Sequence, residues 1–272
     1  RLGEMTPGGY ELLKPLHPDQ PLVHVHPSGE ELNRVYAAEL PIHADVSQFL
    51  RACAEMAPVD STAWAEDARA AHGDYIDFTT PATSDSAVDM GAVMETVREL
   101  LPDDAIVTNG AGNYSIWVHR FYRYGKPGTQ LAPTSGAMGY GVPAAVAAKL
   151  MHPDRVVVSF AGDGCFQMNC NELGTALQYG AKCLFIVINN SMYGTIRMHQ
   201  ERRFPDRISA TDIVNPDFPA LCEAYGGKGY LVTETAAFRP ALEDALRGDK
   251  MALIEIRIDP DDIAPGRKLS EL

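Results

Sequence analysis

Short apolar runs alternate with segments of helical periodicity along most of this chain. Runs of about four to eight mostly apolar residues suit strands that are buried on both faces. They are Ala105–Thr108, Arg155–Ala161, Cys183–Asn189, Gly229–Val232 and Met251–Ile258. The predicted helices are Tyr114–Tyr122, Val142–Met151, Phe166–Tyr179 ending at Gly180, Asp217–Tyr225 ending at Gly226, and Ala236–Leu246 ending at Gly248. This alternation predicts an α/β fold with a parallel sheet flanked by helices.

The beginning of the chain repeats this alternation on a smaller scale. Two strands and two helices are predicted there, at Leu22–His26, Gly29–Tyr36, Ile42–Ala44 and Val46–Ala57. Two strands make a poor sheet, and Arg1–Gly3 resembles the exit of a preceding strand. We therefore expect residues 1–56 to be the C-terminal part of a truncated second α/β domain. Residues 57–89 would be a linker with a short helix at Ala63–Ala71, residues 90–260 the main domain, and residues 261–272 a tail.

Composition and charge exclude several classes of partner. The formal net charge is −13 with 23 lysines and arginines, whereas nucleic-acid binding needs clustered basic side chains. Neither a secretory signal nor a run of about 18 apolar residues is present, so we expect a soluble cytoplasmic protein without a membrane partner. Five cysteines without a CxxC pair fit neither a disulfide framework nor a zinc site. An anionic cofactor would therefore be held by backbone groups or by a metal.

Polar residues follow two of the predicted strands at the points where these strands end. Gly162-Asp163-Gly164 follows one strand, and Asn189-Asn190 follows the next. Ligands bind at the carboxyl ends of parallel strands, so Asp163 and Asn190 can converge there, and their oxygens suit Mg²⁺. The helix predicted to start near Cys165 would offer free N–H groups to a diphosphate. Each piece alone is commonly only a turn or a strand exit.

The order strand, GDG, helix, strand, NN resembles the motif that binds thiamine diphosphate (ThDP). The segment Ser135–Ala145 is similar to the GTMGYGLPAA segment of acetolactate synthase-like enzymes, in which it grips the pyrimidine ring. The resemblance implies that the carbonyl of Gly136 accepts a hydrogen bond from the cofactor and that Met138 supports its V shape. Core filling is the alternative role for this methionine.

Two further segments extend the resemblance. Gly110–Asn113 lies where the family has a phosphate-contacting loop, although an ordinary loop is the alternative. Asn190–Arg197 matches the stretch after NN, which implies the Met192 carbonyl as the third protein ligand of Mg²⁺, beside Asp163 and Asn190. The implied ThDP contacts are Gly112, Asn113, Tyr114, Gly136, Met138, Asp163, Gly164, Cys165, Asn190, Met192, Tyr193, Gly194 and Thr195.

The resemblance implies a ThDP- and Mg²⁺-dependent enzyme that decarboxylates a 2-oxo acid and transfers the acyl anion. A decarboxylase or lyase without an acyl acceptor is one alternative, and a non-catalytic diphosphate-binding subunit that completes a site with a partner chain is another. The match leaves no counterpart of the family's pyrimidine domain in these 272 residues, so we expect the family's activating glutamate to lie outside them. Neither Glu172 nor Glu201 matches that position, so no catalytic residue is assigned and the isolated fragment is expected to be inactive.

Two histidines mark departures from the family, and one segment bears on assembly. His199 replaces a tryptophan that is important for substrate choice in acetolactate synthases, which weakens a strict acetolactate assignment. His26 replaces an acidic residue of many relatives, which weakens the expectation of FAD. The family binds ThDP between subunits, so the resemblance implies a homodimer or homotetramer that associates through Gly136–Tyr140 and includes the pyrimidine domain in the full-length protein.

Overall fold

The protein is represented by a computed structural model that describes residue 2 and residues 8–272. Two compact units make up the chain, Arg1–Arg69 and Ala70–Leu272. The expected strand exit at the start of the chain involves Arg1 and Gly3, which lie outside the described residues.

The first unit contains a small parallel sheet formed by β1 (Val23–His26) and β2 (Leu40–His43), followed by helix α1 (Val46–Ala54). The helix predicted at Gly29–Tyr36 is absent, and turns occupy this segment. Asn33 adopts a left-handed φ of 58°, and its Oδ1 accepts a hydrogen bond from the N–H of Ala38 at 2.9 Å. This side-chain bond stabilises a turn in place of a helical ladder, so the helix prediction was wrong.

The second unit is built on six parallel strands. They are β3 (Ile106–Asn109), β4 (Gln130–Leu131), β5 (Val157–Gly162), β6 (Leu184–Asn189), β7 (Lys228–Val232) and β8 (Ala252–Arg257). Their order across the sheet is β4, β3, β5, β6, β8, β7, and helices flank the sheet. The predicted α/β class is therefore confirmed. A short antiparallel pair, β9 (Asp262–Ala264) and β10 (Arg267–Lys268), follows the sheet.

The remaining helices are α2 (Ala65–Phe78), α3 (Met90–Leu100), α4 (Tyr114–Phe121), α5 (Gly141–Met151), α6 (Asp163–Gln167), α7 (Glu172–Tyr179), α8 (Gly194–Arg203), α9 (Phe218–Ala224) and α10 (Thr235–Arg247). The linker helix thus extends seven residues beyond its predicted end. In the part of the chain that the structure describes, no helix is long and apolar enough to cross a membrane.

The single helix predicted at Phe166–Tyr179 is instead two helices, α6 and α7. Asn169 lies in the turn between them, and its Nδ2 donates a hydrogen bond to the carbonyl of Gly139 at 2.9 Å. Asparagine side chains favour turns through such bonds to the backbone. The break ends α6 after five residues and ties it to the loop that contains Met138.

Hydrophobic clusters cover both faces of the six-stranded sheet. Phe160, Ile186 and Ile254 point to the side of α3, α4 and α10, whereas Phe185 and Leu253 point to the side of α5, α7 and α9. Burial on both faces explains why these strands are continuous apolar runs and not alternating ones. It also leaves the strand ends as the places where polar residues can lie.

The central strands β5 and β6 end side by side. Gly162, the last residue of β5, is paired with Ile188 near the end of β6. Asp163 follows the first strand and Asn190 follows the second, so the register alone brings both side chains to one edge of the sheet. This edge is where open parallel sheets bind their ligands.

Candidate functional site

A cavity lies at the carboxyl ends of β3, β5 and β6. Its empty volume is about 530 Å³, part of which is open to solvent. Twelve of the thirteen residues that the sequence suggested as cofactor contacts line this cavity; the exception is Gly136. The other lining residues are Ala111, Trp117, Gly162, Ile188, Ile196, Ile258, Asp262 and Ile263.

Asp163 is buried, with 3% of its surface exposed, and it has only neutral hydrogen-bond partners. Its Oδ1 accepts from the N–H of Gly164 at 2.9 Å, and its Oδ2 accepts from Nδ2 of Asn215 at 2.7 Å. Burial raises the pKa of this carboxyl, and the hydrogen bonds oppose that rise. Among the described residues no basic side chain forms an ion pair with Asp163. A carboxylate in such a place is suited to a cation that arrives with a ligand.

Asn190 and Met192 lie in the turn that follows β6. The N–H of Met192 donates to Oδ1 of Asn190 at 3.3 Å, and Ser191 between them has a left-handed φ of 56°. The Met192 carbonyl accepts from the N–H of Gly194 at 2.9 Å, which leaves its second lone pair available. The turn therefore supplies an amide oxygen and a carbonyl oxygen beside the carboxylate of Asp163.

Gly164 allows the backbone to approach the opposite wall of the cavity. A Cβ atom at this position would lie 2.6 Å from Cε1 of Tyr193 and 3.0 Å from Cδ1 of Ile213. Any side chain would therefore have to displace the ring of Tyr193 and the end of Ile213. Close packing thus favours glycine at the last position of the GDG motif.

Asn113 and Thr195 connect the loop after β3 with the start of α8. The Thr195 hydroxyl donates to Oδ1 of Asn113 at 2.8 Å and accepts from the Asn113 N–H at 3.0 Å. The Tyr114 hydroxyl accepts a hydrogen bond from the N–H of Gly110 at 2.9 Å. The same hydroxyl lies 3.3 Å from Sγ of Cys165. Burial raises the pKa of Tyr114. Its hydroxyl therefore braces the cavity wall, and only the ring is left to face a ligand.

The suggested pyrimidine-contacting residues are separated by the structure. Met138 lines the cavity and packs against the core, whereas Gly136 is exposed in a turn with φ of 66°. Three other residues considered in the sequence also lie away from the cavity. His199 is exposed, Glu201 pairs with Arg197 at 2.9 Å, and Glu172 accepts from the Thr175 hydroxyl at 2.7 Å.

Sequence reasoning missed Asn215, which donates to Asp163, and also Trp117 and Ile263 of the cavity wall. Asn215-Pro216 is a turn signal, but it lies far along the chain from Asp163 and gives no indication of the contact. Clusters of three histidine, cysteine or acidic residues able to hold a metal are absent from the described residues. The suggested Mg²⁺ ligands are of a different kind, with one carboxylate, one amide and one backbone carbonyl.

Comparison with known proteins gives a family match and several relatives. Residues 110–256 match the family described as "Thiamine pyrophosphate enzyme, C-terminal TPP binding domain". The acetolactate synthase large subunit of Parasynechococcus marenigrum is 32% identical over 244 residues, which cover 87% of this chain and 39% of that protein. Two Escherichia coli proteins, the acetolactate synthase isozyme 3 and isozyme 2 large subunits, are 28% and 26% identical.

The Escherichia coli matches cover 89% and 94% of this chain, respectively. The chain spans 44% of the isozyme 3 subunit and 47% of the isozyme 2 subunit, less than half of either relative.

Proposed function

Since this chain belongs to the acetolactate synthase-like family of thiamine pyrophosphate enzymes and carries their C-terminal cofactor-binding domain, we propose that its cavity binds the diphosphate of ThDP through Mg²⁺. The metal would be held by the Asp163 carboxylate, the Asn190 amide oxygen and the Met192 carbonyl. Diphosphate oxygens and water would complete the octahedral shell that Mg²⁺ prefers.

One observation carries this proposal: the buried carboxylate of Asp163 has only neutral partners among the described residues and faces the cavity beside Asn190. Burial of an unpaired charge is costly, so a fold retains it when a cation is present in the working state. The chain is acidic overall, and a divalent cation would allow it to hold a diphosphate.

The other cavity residues fit the remaining parts of the cofactor. Thr195, at the start of α8, would donate its backbone N–H to the diphosphate, because the first N–H groups of a helix lack partners within it. The N–H of Gly194 is bonded to the Met192 carbonyl, so Gly194 would contribute close approach of the backbone and not a donor. Met138 and Ile188 offer apolar surface for the ring system. ThDP supplies a carbon nucleophile and an electron sink, and the chain's own residues bind it, orient it and exclude water.

We propose a 2-oxo acid as the substrate, with decarboxylation followed by acyl-anion transfer. The only acidic residues in the described cavity wall are Asp163 and Asp262, and no glutamate lies there. The activating glutamate implied by the family would then come from outside the described residues, from the pyrimidine domain.

Assembly as a homodimer or homotetramer would bring such groups together, and the exposed segment Ser135–Ala137 supports Gly136–Tyr140 as the contact face. We also propose a cytoplasmic location.

The cofactor site is tested by calorimetric titration of ThDP into the chain with Mg²⁺ present. Asp163→Ala should abolish measurable binding because it removes the charged metal ligand, whereas Asp249→Ala, which removes the same charge at an exposed position, should bind as the parent does. Equal binding by Asp163→Ala and the parent would refute the metal bridge.

In the same samples we expect no release of CO₂ from 2-oxo acids, because the activating glutamate is not in the cavity. Rapid release would show that this chain contains its own activating group.

A further inference from the structure

The segment Thr211–Asn215, between α8 and α9, contacts both sides of the cavity's polar edge. It lies within the second unit and passes close to Gly164, where a Cβ atom on that glycine would lie 3.0 Å from Cδ1 of Ile213. Its contacts fall into two groups, one through the backbone and one through the side chain of Asn215. Both reach residues that the proposed function assigns to the metal.

The backbone contacts hold the turn after β6. The N–H of Tyr193 donates to the Thr211 carbonyl and the N–H of Ile213 donates to the Ser191 carbonyl, each at 2.8 Å. Between these bonds Met192 and Asp212 form an antiparallel bridge. These two hydrogen bonds, one on each side of Met192, fix the peptide plane that carries its carbonyl oxygen. The direction of that oxygen is thus determined by Thr211–Asn215.

The side chain of Asn215 uses all of its hydrogen-bonding groups. Its Nδ2 donates to Oδ2 of Asp163 at 2.7 Å and to Oδ1 of Asn189 at 2.9 Å. Its Oδ1 accepts from Nε2 of Gln167 at 2.8 Å. Two acceptors on one side and a donor on the other permit only one orientation of the amide. Asn215 is therefore locked, and it fixes one oxygen of the Asp163 carboxylate.

Asn189 continues this network into the next strand of the sheet. Its Nδ2 donates to Oε1 of the buried Glu255 at 2.7 Å, and the same oxygen accepts from Nε of Arg257 at 2.8 Å. The amide of Asn215 thus links a side chain at the end of β5 to side chains of β6 and β8. A carboxylate held in this way cannot rotate freely without breaking bonds in the sheet.

Resting on the proposed function, we propose that Asn215 is a positioning residue that presents the Asp163 carboxylate to the divalent cation. One carboxylate oxygen is held by Asn215 and the other by the Gly164 N–H, which leaves lone pairs on both oxygens for a metal. Partners that orient a metal ligand typically change metal affinity about 10- to 100-fold when removed. Asn215 touches neither the cofactor nor substrate in this role.

The test measures Mn²⁺ binding by electron paramagnetic resonance in the presence of ThDP, with the 272-residue chain. Asn215→Ala should bind Mn²⁺ about 10- to 100-fold more weakly than the parent. Gln167→Ala removes only the donor to Asn215 and should give a smaller loss. Asn171→Ala, an asparagine replaced at an exposed position, should keep the parent affinity. The circular dichroism of each variant without metal records whether it is folded at the temperature used.

The outcomes separate the two proposals. Parent-like Mn²⁺ affinity of folded Asn215→Ala, together with loss of binding in Asp163→Ala, would overturn the positioning role and leave the metal site intact. Parent-like affinity of Asp163→Ala, or no Mn²⁺ binding by the parent, would overturn the proposed function and the positioning role with it. A purely structural role for Asn215 would lower the thermal midpoint and leave the affinity of the folded protein unchanged, which also contradicts the proposal.

Discussion

One buried carboxylate, Asp163, directly follows β5, and another, Glu255, lies within β8, but the two have different surroundings. Glu255 in β8 is 0% exposed, and its Oε1 accepts hydrogen bonds from Nε of Arg257 and from Nδ2 of Asn189. Asp163, directly after β5, accepts hydrogen bonds only from neutral donors and lines a cavity. The cation that balances Glu255 is part of the chain, whereas the one that balances Asp163 would arrive with a ligand. A buried carboxylate can therefore serve the fold in one place and binding in another.

The largest effect on stability is expected from Glu255→Ala. This change leaves Nδ2 of Asn189 buried without an acceptor, which costs about 1–3 kcal/mol in the free energy of unfolding. Chemical denaturation without cofactor measures the loss. Glu223→Ala, at an exposed position of α9, is the matched control and should lie within about 0.5 kcal/mol of the parent. Equal stability of Glu255→Ala and the control would show that Glu255 does not serve the fold.

A smaller effect is expected from Asp163→Asn in the same experiment. The change removes one charge-assisted hydrogen bond, but it also removes a buried charge, and the two effects offset each other. The free energy of unfolding without metal should change by less than about 1 kcal/mol. A loss as large as that of Glu255→Ala would mean that both carboxylates serve the fold, and the distinction between the two regions would disappear.

The smallest effect concerns His119, an exposed residue whose ring is partly desolvated and has a neutral partner. Its Nε2 lies 3.1 Å from Oδ1 of Asn109, and burial lowers its pKa below the ordinary value of 6.5. Below pH 6.5 the unfolded chain therefore binds more protons at this histidine than the folded chain does. The contribution of neutral His119 to the free energy of unfolding is complete above pH 6.5 and is lost as the pH falls through the folded-state pKa. His119→Gln should flatten the fall in unfolding free energy between pH 6.5 and more acidic values. An unchanged slope would contradict the assignment.

The strand ends could be predicted from the sequence because burial on both faces makes each central strand a continuous apolar run. The polar residues Asp163 and Asn190 interrupt those runs at the point where the strands leave the core. Helix α8 could not be predicted in this way, because none of its residues is buried and it has no apolar stripe. Helix α3 was missed although its buried residues Met90, Val93, Met94 and Val97 have helical spacing.

The contact of Asn215 with Asp163 could not be predicted, because it joins residues 52 positions apart through a loop without periodicity. Local preferences explain the break at Asn169 and the turn at Asn33, but apolar periodicity does not report them. Tertiary hydrogen bonds of asparagine side chains are thus the part of this site that required the structure. Residue type and spacing pointed to the residues that follow the strands, but they gave no indication of the loop residue Asn215.

The central claim, that a divalent metal bridges Asp163 and the diphosphate of ThDP, is tested most directly by ³¹P nuclear magnetic resonance of bound ThDP. Replacing Mg²⁺ by paramagnetic Mn²⁺ should broaden both phosphorus resonances of ThDP bound to the parent chain, since the metal would coordinate diphosphate oxygens. With Asp163→Ala, which should not bind ThDP, the phosphorus resonances should show only the broadening that Mn²⁺ causes in ThDP without protein. Bound ThDP with sharp phosphorus resonances in the parent chain with Mn²⁺ present would contradict the account.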